Sequence, residues 1–382
     1  MIYVHVPFCR SFCTYCGFYS EVAPKCRRAE DEQVRLMEAY VSALEAEVKS
    51  RHDEIKRVFA SDDVNTLYVG GGTPSVLPLS AFERLISALE RKEYDEFTVE
   101  VNPEDIVEKG ADYVKGLMSL GVNRISMGVQ SFDDGILKFM NRRHSADQAR
   151  EAYQILEECG VENISIDLIF GLPQLSEQQW SQTIEDALTI SSLSMPPKHI
   201  SAYQLSIEPD SMLERLVAKG QFEEAMPEQC QQQYEILCKA LAKAGYHHYE
   251  ISNFAQPGFE ARHNSAYWRH VPYVGLGPGA HSYIDNKRSW NIPSLTSYIK
   301  ATDFSTVSEQ EILDSDQLTM EKIMLGLRTS AGVDEFFLMS CCEKRAVELA
   351  FAGGHLIRID GGRVRIPESS FFISDNIIAS II

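Results

Sequence analysis

The chain has 382 residues, with 36 Lys and Arg against 55 Asp and Glu, and its formal net charge is −19. A hydrophobic share of 44% excludes a mainly disordered or fibrous protein, and no run approaches the ~20 apolar residues of a membrane span. So acidic a balance also argues against broad contact with nucleic-acid phosphates, which requires a basic face. Nine cysteines without a secretory leader favour a reducing compartment, and we predict a cytoplasmic protein.

The first half of the chain alternates short β-branched runs with longer amphipathic stretches. Strands are predicted at 2–6, 66–69, 97–101, 124–127, 163–169 and 199–204. Helices are predicted at 33–48, 80–90, 111–120, 146–158 and 178–190. Units that alternate every ~30 residues are typical of a parallel sheet, and six units are too few for a closed eight-stranded barrel. We therefore predict an α/β fold with an open partial (β/α)6 barrel over residues 1–205, which binds its ligand at the carboxyl ends of the strands.

The pattern changes beyond this barrel. An α+β extension is predicted over 206–307, and it contains an aromatic and Gly-rich stretch at 246–283. Residues 308–382 form a third segment, in which helices precede a hairpin that turns on Asp-Gly-Gly. The elements predicted in these two segments are helices at 226–245, 316–327 and 341–352 and a hairpin of 356–359 and 363–366. Helices followed by a hairpin predict a small winged-helix-like module. Its many acidic residues favour a role as a docking or lid module over DNA binding.

Three cysteines follow the first predicted strand. Cys9, Cys13 and Cys16 have the spacing C-x3-C-x2-C on one loop. Three such thiolates can bind three irons of a [4Fe–4S] cluster, which normally takes four protein ligands, so one iron is left open for a substrate or cofactor. The alternatives are a zinc site completed by His5 or Cys26, and three buried cysteines without a ligand. Structural zinc usually pairs cysteine units that are well separated, which favours the cluster.

Further polar segments stand near the ends of later strands. The segment 69–74, Val-Gly-Gly-Gly-Thr-Pro, follows the second strand, where glycines allow close approach and leave amides free to hold a carboxylate or an amino group. Glu100 lies near the end of the third strand. Asp167 is a lone acid in the apolar fifth strand, where an unpaired buried carboxylate is costly. We expect Asp167 to face the barrel mouth, with a structural pairing to Arg142 or Arg124 as the alternative.

The cysteine loop resembles the cluster motif of the radical S-adenosylmethionine (SAM) superfamily, whose members use a six-unit partial barrel. In these proteins the amino and carboxylate groups of SAM bind the open iron. Together with the polar segments, the loop resembles one branch, that of oxygen-independent coproporphyrinogen III oxidase and its relatives. This resemblance implies contacts to SAM from Tyr3, Gly71, Gly72, Thr73, Glu100, Gln130, Arg142 and Asp167. It also implies that a reduced cluster cleaves SAM by passing an electron to the sulfonium.

Within this branch the sequence resembles the HemW heme chaperones. The oxidase carries a fourth cysteine two residues after the third, and Phe18 occupies that position here. Similarity to HemW covers segments 202–209, 249–255, 263–268 and 275–282. In that family the H-N-x-x-Y-W motif is associated with heme, which implies contacts from His263, Asn264, Tyr267 and Trp268. His263 is then a potential axial ligand, and a hydrogen-bonded structural corner is the alternative.

The resemblance also implies partners and cofactors. They are a [4Fe–4S] cluster, SAM, heme, a heme-acceptor protein and an electron donor such as flavodoxin or ferredoxin. Transient contact with a membrane-bound acceptor is compatible with this interpretation, and no nucleic-acid partner is expected. The competing hypothesis is an enzyme, either a coproporphyrinogen III oxidase or another tetrapyrrole-modifying radical SAM enzyme.

Overall fold

The structure is a computed structural model that describes all residues except 23–26, 61–63, 92, 192 and 194, and only the backbone of 27–31. None of the helices in this described part is both long and apolar enough to cross a membrane.

The six predicted strands are all present and lie side by side in chain order as parallel neighbours. They are β1 (Ile2–Val6), β4 (Thr66–Gly71), β5 (Glu96–Val101), β6 (Arg124–Gln130), β7 (Ile164–Phe170) and β8 (His199–Gln204). Two short strands, β2 (Phe8–Cys9) and β3 (Glu21–Val22), pair with each other beside the cysteine loop. The prediction of a parallel α/β sheet is therefore confirmed.

Three further strands extend this sheet to nine. They are β9 (His247–Glu250), β10 (Asn253–Ala255) and β11 (Val274–Leu276). The last of them pairs parallel to β1, while β10 pairs antiparallel to β8 and carries β9 at the edge. Each has only three or four residues, too few to produce a readable alternation within the stretch 246–283. The sheet thus crosses the predicted boundary at residue 205, and the division into three segments stays a prediction.

Helices cover the outer face of the barrel. They are α1 (Arg27–Ser50), α2 (His52–Ala60), α3 (Leu79–Leu89), α4 (Pro103–Ser119), α5 (Asp134–Phe139), α6 (Ala146–Glu158) and α7 (Glu177–Leu188). Capping boxes at Ser145 and Ser176 fix the starts of α6 and α7. The predicted helix at 111–120 begins eight residues too late, because Gly110 interrupts α4 with a φ of 67° and breaks the periodic pattern.

The second half adds two smaller sheets and eight helices to the described part of the chain. The extension contains α8 (Met212–Ala218), α9 (Pro227–Lys243), α10 (Arg262–Trp268) and α11 (Leu295–Lys300), with β12 (His281–Ile284), β13 (Lys287–Asn291) and β14 (Ser308–Ile312) in one antiparallel sheet. The C-terminal module contains α12 (Ser315–Leu327), α13 (Glu335–Cys341), α14 (Lys344–Ala352) and α15 (Ser374–Ile381), with β15 (Val333–Asp334), β16 (Ile357–Ile359) and β17 (Arg363–Arg365). The predicted hairpin is β16 and β17, whereas the predicted helix at 341–352 begins only at Lys344.

The barrel strands separate an apolar face from a polar one, as strand geometry requires. In β6 the apolar side chains Ile125, Met127 and Val129 are buried in the core beneath the helices. The alternate residues Arg124, Ser126, Gly128 and Gln130 line an internal cavity instead. The interior of the barrel is therefore built to hold a polar ligand rather than to be filled by side chains.

One buried carboxylate ties α1 to the extension. Glu47 is fully buried and accepts hydrogen bonds from the Gly277 amide (2.8 Å), the Asn291 side-chain amide (2.8 Å) and the Tyr298 hydroxyl (2.6 Å). Arg51 lies 3.4 Å away as an ion-pair partner. The Gly277 amide and the Tyr298 hydroxyl depend on this carboxylate, because buried donors without an acceptor are costly.

Replacing Glu47 by Ala is expected to lower the free energy of unfolding by about 3 kcal/mol, since it leaves the buried Gly277 amide and Tyr298 hydroxyl without their acceptor. The control is Glu38→Ala, which removes an exposed ion pair with Arg84 and should cost less than about 1 kcal/mol. Denaturant unfolding monitored by circular dichroism measures both. Equal effects of the two substitutions would show that the Glu47 network does not stabilise the fold.

Candidate functional site

A cavity of about 650 Å³ lies inside the barrel, below the cysteine loop at the carboxyl ends of the strands. Its lining includes the three motif cysteines and all eight residues that the family resemblance assigned to SAM. It continues down the barrel to His263 and Tyr267. The predicted ligand position at the carboxyl ends of the strands therefore coincides with a cavity, and the residues selected from sequence meet there.

Backbone contacts hold the cysteine loop over this cavity. The Thr14 amide donates to the Met140 carbonyl at 3.1 Å, and the Thr14 carbonyl accepts from the Leu213 amide at 2.8 Å. The Thr73 amide donates to the Phe8 carbonyl at 2.7 Å. Segments that lie far apart in sequence thus fix the path of the loop, which the spacing of its cysteines alone does not specify.

The three thiols are partly buried and unoxidised. Cys9 Sγ lies 3.5 Å from the Thr73 hydroxyl, and Cys13 Sγ lies 3.4 Å from Nη1 of Arg142. Burial raises the pKa of Cys9 and raises that of Cys16 to about 11. Because thiolates are the metal ligands, binding iron at this loop must displace protons from these two thiols.

The residues proposed to complete a zinc site do not support that alternative. His5 uses Nε2 for a 2.8 Å bond with the Tyr19 carbonyl and Nδ1 for a 3.0 Å bond with the Tyr3 hydroxyl. Cys26 lies outside the described residues. Within the described part of the chain, no three or more His, Cys, Asp or Glu side chains converge on a single-ion site. Three separate half-buried thiols at a cavity mouth fit a cluster that takes one thiolate per iron.

The glycine segment after β4 packs against the cysteine loop. Gly71 has a φ of 109°, and its amide donates to Glu100 Oε2 at 3.1 Å. The Gly72 amide donates to the Val6 carbonyl at 2.8 Å. A Cβ atom at Gly72 would come within 2.7 Å of the Phe8 carbonyl and 3.1 Å of Cys9 Sγ. The expectation of free amides is therefore wrong, because the Gly71 and Gly72 amides are bonded within the protein. Glycine is required at position 72 because the backbone there passes close to Phe8 and Cys9.

Two carboxylates face the cavity below this segment. Glu100 accepts from the Tyr68 hydroxyl at 2.7 Å, and burial, with the charge of Asp167 contributing, raises its pKa to about 7. Asp167 lies 3.4 Å from the Ser126 hydroxyl, and burial raises its pKa as well. Asp167 forms no ion pair with an arginine of the described residues, and it lines the cavity as expected. Both acids are therefore poised to accept hydrogen bonds or a positive charge from a ligand.

Arg142 connects the cluster loop to β6. Its Nη2 donates to Asn102 Oδ1 at 2.6 Å and to the Gly128 carbonyl at 2.7 Å, while Nη1 faces Cys13. Its buried Nε has no partner among the described residues. Arg142 is therefore held in place with one donor still available beside the cysteine loop. Gln130, at the end of the same strand β6, adopts a φ of 67°.

The heme-motif residues lie on α10 at the far end of the cavity. His263 is buried, with Nδ1 at 2.7 Å from the Thr66 hydroxyl and Nε2 at 3.0 Å from the Tyr267 hydroxyl. Burial lowers its pKa to about 3. Asn264 and Tyr267 line the cavity, whereas Trp268 is not among its lining residues. Both ring nitrogens of His263 are thus occupied, as in the structural-corner alternative.

Sequence reasoning missed several lining residues. Tyr68, Asn102, Ser126 and His199 all face the cavity. Their positions in the sequence could have identified them, since each alternates with apolar residues along a strand or follows the end of one. His144, which stands close to Arg142 in sequence, is structural because it is buried with Nε2 at 3.0 Å from the Val129 carbonyl.

Comparisons with known proteins agree with this arrangement. A model of the Radical SAM superfamily matches residues 3–187. The chain is similar to the heme chaperone HemW of Lactococcus lactis, with 34% identity over 87% of this chain and 82% of that protein. It is also similar to HemW of Bacillus subtilis, with 34% identity over 87% of this chain and 84% of that protein.

Among solved structures, the chain resembles coproporphyrinogen III oxidase (HemN) of Escherichia coli, a radical SAM enzyme. The TM-score is 0.78, with 22% identity, over 99% of this chain and 89% of that chain. At this level of identity the likeness supports the fold alone.

Proposed function

The chain belongs to the HemW family within the radical SAM superfamily, and from this membership we propose that it is a heme chaperone, which binds heme and passes it to an acceptor protein. We propose that it carries one [4Fe–4S] cluster and SAM, and that an electron donor such as flavodoxin or ferredoxin reduces the cluster. A cytoplasmic location belongs to the same proposal. The main support for the cluster and SAM is that three cysteines and eight polar or glycine residues line one cavity.

Cys9, Cys13 and Cys16 would hold three irons of the cluster and leave the fourth open. When bound, the cluster supplies an electron that can cleave SAM at its sulfonium. Arg142 Nη1 lies 3.4 Å from Cys13 Sγ and so places a positive charge beside the cysteine loop. Its unpartnered Nε is a donor for a ligand carboxylate at the same end of the cavity.

Glu100 and Asp167 would accept hydrogen bonds from the hydroxyl groups of SAM. The Tyr68 hydroxyl and the Gly71 amide fix one oxygen each of Glu100, so the carboxylate is oriented before a ligand enters. Carboxylates held in this way lose little rotational freedom on binding, which improves affinity. Tyr3, whose hydroxyl is tied to His5, adds an aromatic surface at the same level.

Heme titration combined with an enzyme assay tests the proposed function. The full chain should give a saturable Soret band at one heme per chain. Incubation with coproporphyrinogen III, SAM and dithionite should release no carbon dioxide from the substrate's propionates. Robust decarboxylation would overturn the chaperone proposal in favour of an oxidase. Absence of saturable heme binding would also contradict it.

The proposed heme ligand His263 can be tested through its partner. If Nε2 binds iron, it must first release the Tyr267 hydroxyl, so Tyr267→Phe should strengthen heme binding about fivefold. His263→Ala should weaken heme binding about tenfold and shift the Soret band. His281→Ala, at an exposed position stacked on Trp290, is the control and should change neither. If Tyr267→Phe and His263→Ala both leave the titration unchanged, His263 is a structural residue.

A further inference from the structure

Arg124 is a buried cation that the proposed cluster and SAM contacts do not use. It begins β6 and is only 2% exposed, yet it lines the cavity. Among the described residues, its Nε has no hydrogen-bond partner and no carboxylate lies within ion-pair distance of it. Burying a polar donor is costly unless a partner is supplied, so the unpartnered Nε is a position that an anion or an acceptor from outside the chain would satisfy.

The neighbours of Arg124 do not satisfy it. Glu100 and Asp167 lie within its electrostatic field but bond to Tyr68 and Ser126 instead. His199 is fully engaged with the hydroxyls of Ser165 and Tyr249, at 2.7 and 2.8 Å.

A second unpaired donor shares this end of the cavity. Asn264 lines the cavity, and its buried amide nitrogen has no partner among the described residues. Both donors lie near Tyr249, which is in the electrostatic field of Arg124 and close to Asn264. A guanidinium and an amide that both lack acceptors match the two oxygens of a carboxylate.

The position along the barrel identifies which ligand can supply that carboxylate. Gln130 ends β6 near the cysteine loop, whereas Arg124, six residues earlier, begins this strand. In the proposed function, the amino and carboxylate groups of SAM are at the cluster. These groups therefore lie at the opposite end of β6 from Arg124. Heme carries two propionates, and it is the other ligand of the proposed function.

We propose that Arg124 and Asn264 form a carboxylate-binding subsite at the lower end of the cavity, which receives a propionate of heme. This inference rests on the proposed function, since it takes heme as the ligand. The subsite would make the protein prefer heme with free propionates over heme with esterified ones, because a guanidinium binds a carboxylate far better than an ester.

The test compares heme with heme dimethyl ester, both in the same mild detergent, by Soret titration of the full chain. Wild-type protein should bind heme about tenfold or more tightly than the ester. Arg124→Gln should lose that preference and bind both about equally, and Asn264→Ala should reduce it. Arg269→Gln, which alters an exposed arginine beyond the end of α10, is the control and should behave like wild type.

The outcomes separate the subsite from the chaperone function. If wild-type protein binds heme and its diester equally well, the subsite is overturned while heme binding stands. An Arg124→Gln protein that retains the full preference for heme overturns it as well. If wild-type protein binds neither compound, the proposed function itself fails. The wild-type comparison decides the matter even if the Arg124 variant does not fold.

Discussion

Anaerobic reconstitution with iron and sulfide should load about four irons per chain, and replacement of Cys9, Cys13 or Cys16 by Ala should remove most of them. The effect should be this large because, in the proposed cluster, each thiolate would be the only protein ligand of its iron. The three thiols come from one loop, so the loss of one leaves a cluster with two protein ligands and two open irons. Iron and sulfide analysis, together with absorbance near 400 nm, measures the result.

Cys159→Ala is the matched control for the cysteine variants. Its thiol is partly exposed, lies 3.7 Å from the Ala111 carbonyl and is remote from the cavity lining. It should retain the full iron content. Stoichiometric zinc in the purified protein, with no iron uptake on reconstitution, would contradict the cluster assignment. Loss of iron in Cys159→Ala equal to that in the motif variants would show that the assay reports general unfolding.

Glu100→Gln should weaken SAM binding to the reconstituted protein about 10- to 100-fold, the second large effect. The amide keeps the shape of the side chain but removes the negative charge and one strong acceptor. Tyr68→Phe should have a smaller effect of about fivefold, because it removes only the hydrogen bond that orients the carboxylate. Equilibrium dialysis with labelled SAM measures both. Equal SAM affinity of wild type and Glu100→Gln would remove Glu100 from the SAM site.

The same carboxylate makes SAM affinity depend on pH. Burial raises the pKa of Glu100 from 4.5 to about 7, so in the ligand-free protein it is largely protonated below that pH. SAM requires the ionised form as an acceptor, so its affinity should rise between pH 6 and pH 8. Glu100→Gln should flatten that rise.

The stability of the ligand-free protein should show the opposite trend. The folded chain holds this proton more tightly than the unfolded chain, so the group stabilises the fold at low pH. That contribution, about 3 kcal/mol in full, should decline as the pH rises from about 4.5 to about 7. Glu100→Gln should remove this part of the pH dependence of unfolding, and an unchanged profile would contradict the raised pKa.

Periodicity predicted the long elements of this fold well and the short ones poorly. Helix α6 was predicted with its observed bounds, because apolar residues recur at helical spacing after a capping serine. The start of α4 was missed at Gly110, and β9 to β11 were missed because three or four residues do not define a period. These short strands form only because the edges of the main sheet offer them hydrogen-bond partners.

The amino-acid sequence by itself was enough to predict the family of this protein and the class of its fold. Cysteine spacing predicted a cluster with an open iron, and the alternation of strands with helices predicted a parallel sheet that binds its ligand at the carboxyl ends of the strands. Only the tertiary structure decided which polar groups already have partners. It showed that the glycine amides and both nitrogens of His263 are used internally, whereas Arg124 and Asn264 are left with donors unpaired. Hydrogen bonds between distant segments depend on three-dimensional distance, and residue spacing along the chain does not contain that information.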